Sequence, residues 1–221
     1  MTSSSTIPQK ETVVLLHGLA RTSTSMKKME RTLTVAGYRT VNIDYPSTQF
    51  PIETLAQQIL DEIESHVTEN DKVHFVTHSM GGILVRYLND HLQFSRTGRV
   101  VMLCPPNQGS EIVDRLGGLK LFEWLNGPAG LQLGTAKDGI VSTLGPVEFE
   151  LGVIAGDRSI DWILSTMIPG PNDGKVSIES ARISGMSDYK VAHATHPYIM
   201  KNKAVIKEVL TFLETGKFSR I

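Results

Sequence analysis

The sequence predicts an α/β architecture: a mostly parallel central sheet with helices on both faces. Short β-branched runs alternate with segments of helical period, the signature of successive βαβ units. The run Ile52, Leu55, Ile59, Ile63, Val67 steps by three and four and is the clearest amphipathic helix in the chain. A length of 221 residues suits one such domain with a full core.

The elements follow in order. Residues 13–16 (Val13, Val14, Leu15, Leu16) read as a buried strand ending at His17-Gly18. Residues 24–36 read as a helix with Met26, Met29, Leu33 and Ala36 on one face, closed by Gly37 as a C-cap. Residues 38–45 alternate like a strand and stop at Pro46, and residues 52–67 form the amphipathic helix above. Residues 72–77 are a strand, residues 82–91 a helix, and residues 99–103 a further strand halted by Pro105-Pro106. Residues 111–126 carry Ile112, Val113, Leu116, Leu119, Phe122 and Leu125 at helical spacing, and a Gly/Pro-rich stretch over 127–139 follows. The whole segment 109–146 is too long for a simple connection and is expected to form a small cap. Residues 149–155 resume the sheet, residues 191–194 supply its last strand, and Val205, Val209, Leu210 and Leu213 mark a C-terminal helix ended by Gly216. One domain is expected over 11–221, after a polar, Ser/Thr-rich tail at 1–10.

Composition narrows the partners. The net charge is −1 and no Lys/Arg run occurs, so nucleic acid is not expected. Cys104 is the only cysteine, which excludes an intrachain disulfide and a cysteine-based zinc site. No apolar run is long enough to span a bilayer, and the first residues lack a secretory pattern; a soluble protein, compatible with the cytoplasm, is expected.

Thr77-His78-Ser79-Met80-Gly81 lies between a strand and a helix. A serine at such a turn, with small or polar neighbours, is the nucleophile-elbow arrangement, in which a strained backbone exposes the hydroxyl above the sheet. Serine is a poor nucleophile at neutral pH and needs a base, which in turn needs a carboxylate to orient it. Downstream stand the acids Asp157, Asp161 and Asp173, then His193 and His196. His196 precedes Pro197, which favours an extended or turn conformation at a strand end and makes it the preferred base over His193. Asp157 and Asp173 are equal candidates for the acid on this reading. An oxyanion needs backbone donors. Met80 would supply one, and Leu19, with Ala20 as the alternative, the other, from the His17-Gly18-Leu19-Ala20 loop. His17, His66, His74 and His91 are expected in structural roles, and the His78 side chain is expected to point away from Ser79.

The segments Val13-Val14-Leu15-Leu16-His17-Gly18-Leu19, Val76-Thr77-His78-Ser79-Met80-Gly81-Gly82, Leu103-Cys104-Pro105-Pro106-Asn107-Gln108-Gly109-Ser110 and Asn172-Asp173-Gly174-Lys175-Val176 together resemble the lipase/esterase branch of the α/β-hydrolase superfamily. The likeness is to bacterial triacylglycerol lipases and to small lipase-like proteins related to GPI inositol-deacylases. It implies the α/β-hydrolase fold, moves the choice of acid to Asp173, and puts His196 where that family has its base. It also implies a serine esterase working through an acyl-enzyme on Ser79, without a cofactor, on a small-molecule or lipid ester. An acyltransferase with the same triad is the alternative, and a non-catalytic binding protein of the same fold a further one. Ala20, Leu119, Phe122, Trp124 and Leu131 are the candidate acyl-contact residues. One departure from the family pattern stands out: Thr77 replaces the first Gly of G-x-S-x-G.

Overall fold

The computed structural model describes residues 10–160 and 165–220. Residues 1–9 and the acid candidate Asp161 lie outside the described residues. Six strands form one all-parallel sheet: β1 (Lys10–Leu16), β2 (Tyr38–Ile43), β3 (Val73–His78), β4 (Thr97–Leu103), β5 (Leu151–Arg158) and β6 (Asp188–Thr195). Their order is β2-β1-β3-β4-β5-β6. Parallel strands are covered on both faces, so their sequences read as continuous apolar runs. In β1 the alternation of Cβ directions sends Val14 and Leu16 to one core and Val13 and Leu15 to the other.

The first core lies under α2 (Ile52–His66) and α3 (Met80–Asp90); the second lies under α1 (Lys27–Val35) and the C-terminal helix, here α7 (Lys203–Thr215). The apolar stripe of α2 is buried as its spacing requires: Ile52, Leu55, Ile59 and Ile63 are all in the first core. A 3₁₀ turn at Ser23–Met26 leads into α1. Gly37, at φ 94°, reverses the chain after α1, and Gly216, at φ 75°, does the same after α7. Asn202 caps α7 by accepting from the Ala204 and Val205 amides.

Segment 109–146 differs from the single helix expected over 111–126. The helix breaks at Gly117-Gly118 into α4 (Glu111–Leu116) and α5 (Lys120–Leu131), and α6 (Ile140–Thr143) follows. Two consecutive glycines forfeit helix propensity, and the extended Leu119 (φ −88°, ψ 122°) starts a new direction. α5 is itself kinked at Gly127 (φ 64°, ψ −173°), immediately before Pro128. A Cβ on Gly127 would stand 1.8 Å from the Thr48 carbonyl oxygen, so α5 is seated directly on that loop. Among the described residues no helix is long and apolar enough to cross a membrane.

Candidate active site

The topology selects where a site can form. From β1 the chain goes to β2 on one side of the sheet, then returns to β3 on the other. Loops leaving the C-terminal ends of β1 and β3 therefore diverge and leave a crevice between them. Ser79 leaves β3 and the loop 17–20 leaves β1, so the two sequence candidates face each other across this crevice.

Ser79 has φ 52° and ψ −123°, outside the regions L-residues favour. Its amide donates to the Leu103 carbonyl at 2.8 Å, which pins the turn to β4. The close packing explains the glycines beside it. A Cβ on Gly81 would meet the Leu16 carbonyl oxygen at 2.9 Å, and one on Gly82 would meet Met102 Sδ at 3.0 Å. Thr77 is fully buried, and the turn forms with it in place; its hydroxyl has no hydrogen-bond partner among the described residues.

His196 Nε2 lies 3.1 Å from Ser79 Oγ, and His196 Nδ1 lies 2.7 Å from Asp173 Oδ2. The carboxylate can only accept, so Nδ1 carries the proton and Nε2 accepts from the serine hydroxyl. Asp173 is held by the turn its sequence specifies. Its Oδ1 accepts from the Lys175 and Val176 amides at 2.9 and 2.8 Å, and Gly174, between Asp173 and Lys175, takes φ 98°. Burial alone pushes the Asp173 carboxyl up, but His196, the Cys104 thiol and the Val176 amide overcome it and hold the carboxyl below its ordinary value. Cys104, at φ 50° on leaving β4, places its thiol beside this carboxylate; burial and Asp173 push the thiol well up. The ligating atoms of Cys104, Asp173 and His196 lie within 4.8 Å of one another. They are already paired as donors and acceptors, so an ion seated among them would break the Asp173–His196 bond.

The loop after β1 is braced from below. His17 is buried, stacks on Tyr45 with ring centroids 4.0 Å apart, and donates from Nδ1 to the Gly18 carbonyl. The Tyr45 hydroxyl donates to the His17 carbonyl. The Ala20 amide donates to Ser47 Oγ at 3.0 Å, with Ala20 at φ 53°. Leu19 follows β1 and Met80 opens α3 directly after Ser79, so the two amides expected as oxyanion donors belong to the two loops that flank the crevice.

The other candidates are placed elsewhere. His193 Nδ1 pairs with Asp157 Oδ1 at 2.9 Å in an exposed pair, apart from Ser79. His66 and His91 are partly exposed beside Glu62 and Asp90, and His74 binds Glu11. Leu119 and Trp124 are 56% and 78% exposed, together with Leu121 and Leu125 on the outer side of α5; Phe122 is half-buried. Leu131 lines a cavity of about 420 Å³ with Glu53, Tyr87 and Ile140. Ala20 is exposed at its loop tip. The reach of Cys104, Ser47 and His78 into this region has no signature in the sequence, because each acts across strands distant in the chain.

The profile of a family described as alpha/beta hydrolase matches residues 13–175. The structure is similar to the mature form of a Bacillus licheniformis lipase, with 22% identity and a TM-score of 0.75 over 95% of this chain and 94% of that one. It is similar also to a Legionella pneumophila phospholipase (15% identity, TM-score 0.75, 94% of this chain and 60% of that one). A metagenomic carboxyl esterase matches at 19% identity and TM-score 0.69, over 87% of this chain and 66% of its own. At these identities the likeness is one of fold, and the chain spans less than two thirds of the latter two proteins. No curated protein matches the sequence significantly.

Proposed function

The chain belongs to the alpha/beta hydrolase family, and from that premise we propose that it is a serine hydrolase cleaving carboxylic esters through an acyl-enzyme on Ser79. The observation that carries this reading is the unbroken chain Ser79 Oγ, His196 Nε2, His196 Nδ1, Asp173 Oδ2, at 3.1 and 2.7 Å. Ser79 Oγ attacks the acyl carbon while His196 Nε2 takes its proton. Asp173 keeps the ring in the tautomer that can do so and stabilises the imidazolium that forms. The Leu19 and Met80 amides hold the oxyanion, Met80 from the N-terminal end of α3, where the helix dipole adds to the donors. Collapse expels the alcohol, which takes the proton from His196. Water then repeats the sequence and releases the acid.

The acyl group is assigned to the region between the loop 17–20 and α5. A Cβ on Gly130 of α5 would stand 2.9 Å from Leu19 Cδ2, so the two elements are in contact. Of the sequence candidates, Ala20 on the loop and the half-buried Phe122 on α5 are proposed to meet the acyl chain, whereas Leu119 and Trp124 lie on the outer side of α5 and Leu131 lines the cavity with Glu53, Tyr87 and Ile140.

The test is hydrolysis of p-nitrophenyl butyrate together with labelling by a fluorophosphonate. Ser79→Ala is expected to lower kcat/KM by ~10⁴-fold or more and to abolish the adduct. Full turnover by Ser79→Ala, or an adduct on another residue, overturns the mechanism.

A further inference from the structure

His78 ends β3 immediately before Ser79, and the reaction just described does not use it. The residue is 2% exposed. Nε2 lies 2.9 Å from the His196 backbone carbonyl oxygen. A carbonyl only accepts, so Nε2 carries the hydrogen, and a neutral ring then leaves Nδ1 as a bare lone pair. That Nδ1 has no hydrogen-bond partner among the described residues. It faces Gly18, where a Cβ would stand only 2.7 Å away. The ring centroid lies 4.8 Å from that of His196, at an interplanar angle of 54°.

We infer that His78 is a positioning residue for the base: a neutral imidazole wedged between the loop after β1 and the loop after β6, holding His196 where it can take the Ser79 proton. This rests on the catalytic reading above. His196 is gripped at three points. Its amide donates to the Asp173 carbonyl at 3.1 Å, its ring donates to the Asp173 carboxylate, and its carbonyl accepts from His78. Removing the third leaves the loop free to rock about the Asp173 contacts. The opposite edge of the ring supports Gly18, one residue before the Leu19 amide, so one side chain registers base and oxyanion donor together.

Neutrality matters as much as reach. The charged and titratable groups facing His78 are His196, Asp173 and Arg21. A second imidazolium beside His196 would oppose the charge that His196 must acquire. Burial and the His196 ring hold the His78 pKa well below its ordinary value, so His78 stays uncharged while His196 cycles.

The experiment compares His78→Gln, His78→Asn and His78→Leu. The Gln amide nitrogen is as many bonds from Cα as His Nε2, and the Asn amide falls one bond short. His78→Gln is expected to keep kcat within about threefold, while Asn and Leu lose ~10–100-fold in kcat with KM for p-nitrophenyl butyrate changed less than about twofold. The readout independent of turnover is the low-field proton NMR signal of His196 Nδ1–H, sharp in wild type and His78→Gln, broadened or lost in Asn and Leu. Should Leu fail to fold, the Gln–Asn pair carries the comparison. Unchanged kcat and an unchanged signal in His78→Asn overturn the inference, as does a loss in Asn that Gln does not restore. A wild-type protein without esterase activity or fluorophosphonate adduct overturns the ester reading instead; the NMR comparison still decides whether His78 orders His196.

Discussion

The backbone of Ser79 is held at φ 52° by neighbours that leave no other path. Gly81 and Gly82 allow the close approach of β1 and β4, and the Leu103 carbonyl fixes the serine amide. Thr77 shows how much the turn tolerates. The position calls for a small residue in the family pattern, yet the threonine fits, at the expense of a buried hydroxyl without a partner among the described residues. An orphaned buried hydroxyl costs about 1–3 kcal/mol. Thr77→Val keeps the shape and removes the orphan, so we expect a gain of ~1 kcal/mol in urea unfolding with the esterase rate retained. A loss of stability instead would mean that the hydroxyl has a partner. The residues of the candidate site fall in two sets. Ser79 and His196 were legible in the sequence as candidates from residue type and chain order, and Asp173 was set above Asp157 only by the family resemblance. Ser47, His78 and Cys104 were not, because each is defined by what it touches on a distant strand.

At the scale of elements, the strands and the long helices were legible for the same reason that they form. Their apolar period matches the face they bury. The cap was not. Residues 111–126 keep a helical period of apolar residues, yet Leu119, Leu121, Trp124 and Leu125 face outward, so periodicity here did not mark a core. The turning points are glycines instead. Gly127 combines a positive φ with a Cβ position 1.8 Å from the Thr48 carbonyl oxygen, and neither can be relieved by a side-chain movement. Gly127→Ala should therefore lose more than ~2 kcal/mol of stability, through backbone strain and a displaced α5. Urea unfolding checks this. A change within ~0.5 kcal/mol, the size of an ordinary surface substitution, would show that α5 does not sit on Thr48.

For the whole molecule, acid stability follows from the groups the fold holds away from their ordinary titration. Burial lowers the pKa of His17 and His78 from the ordinary 6.5. The unfolded chain then takes up protons that the folded one refuses, so stability falls as pH drops through 6.5. Each such histidine contributes a slope of about 1.4 kcal/mol per pH unit until its folded value is reached. Asp173 acts in the same direction at lower pH. Its folded pKa lies below the ordinary 3.8, so its stabilisation is present above 3.8 and is lost as pH falls below it, through the folded value. Urea midpoints between pH 7.5 and 5 should decline in wild type and decline less in His78→Gln. Parallel curves for the two would mean that His78 titrates normally in the fold.

By itself the sequence determined the α/β class, the parallel sheet and its flanking helices, because burial on two faces writes its period directly into the chain. It also determined the residue types, order and spacing from which a serine, an acid and a histidine could be chosen. It left His193 and Asp157 open as rivals by position alone, and only the tertiary structure decided which pair meets Ser79. Strand β6 delivers His196 to the crevice between β1 and β3, and the Asn172-Asp173-Gly174 turn swings its carboxylate under that ring, whereas His193 and Asp157 pair with each other at the surface. The reason is physical: hydrogen bonds are decided by distances of tenths of an ångström, and those are set by packing across the sheet, which no local pattern records.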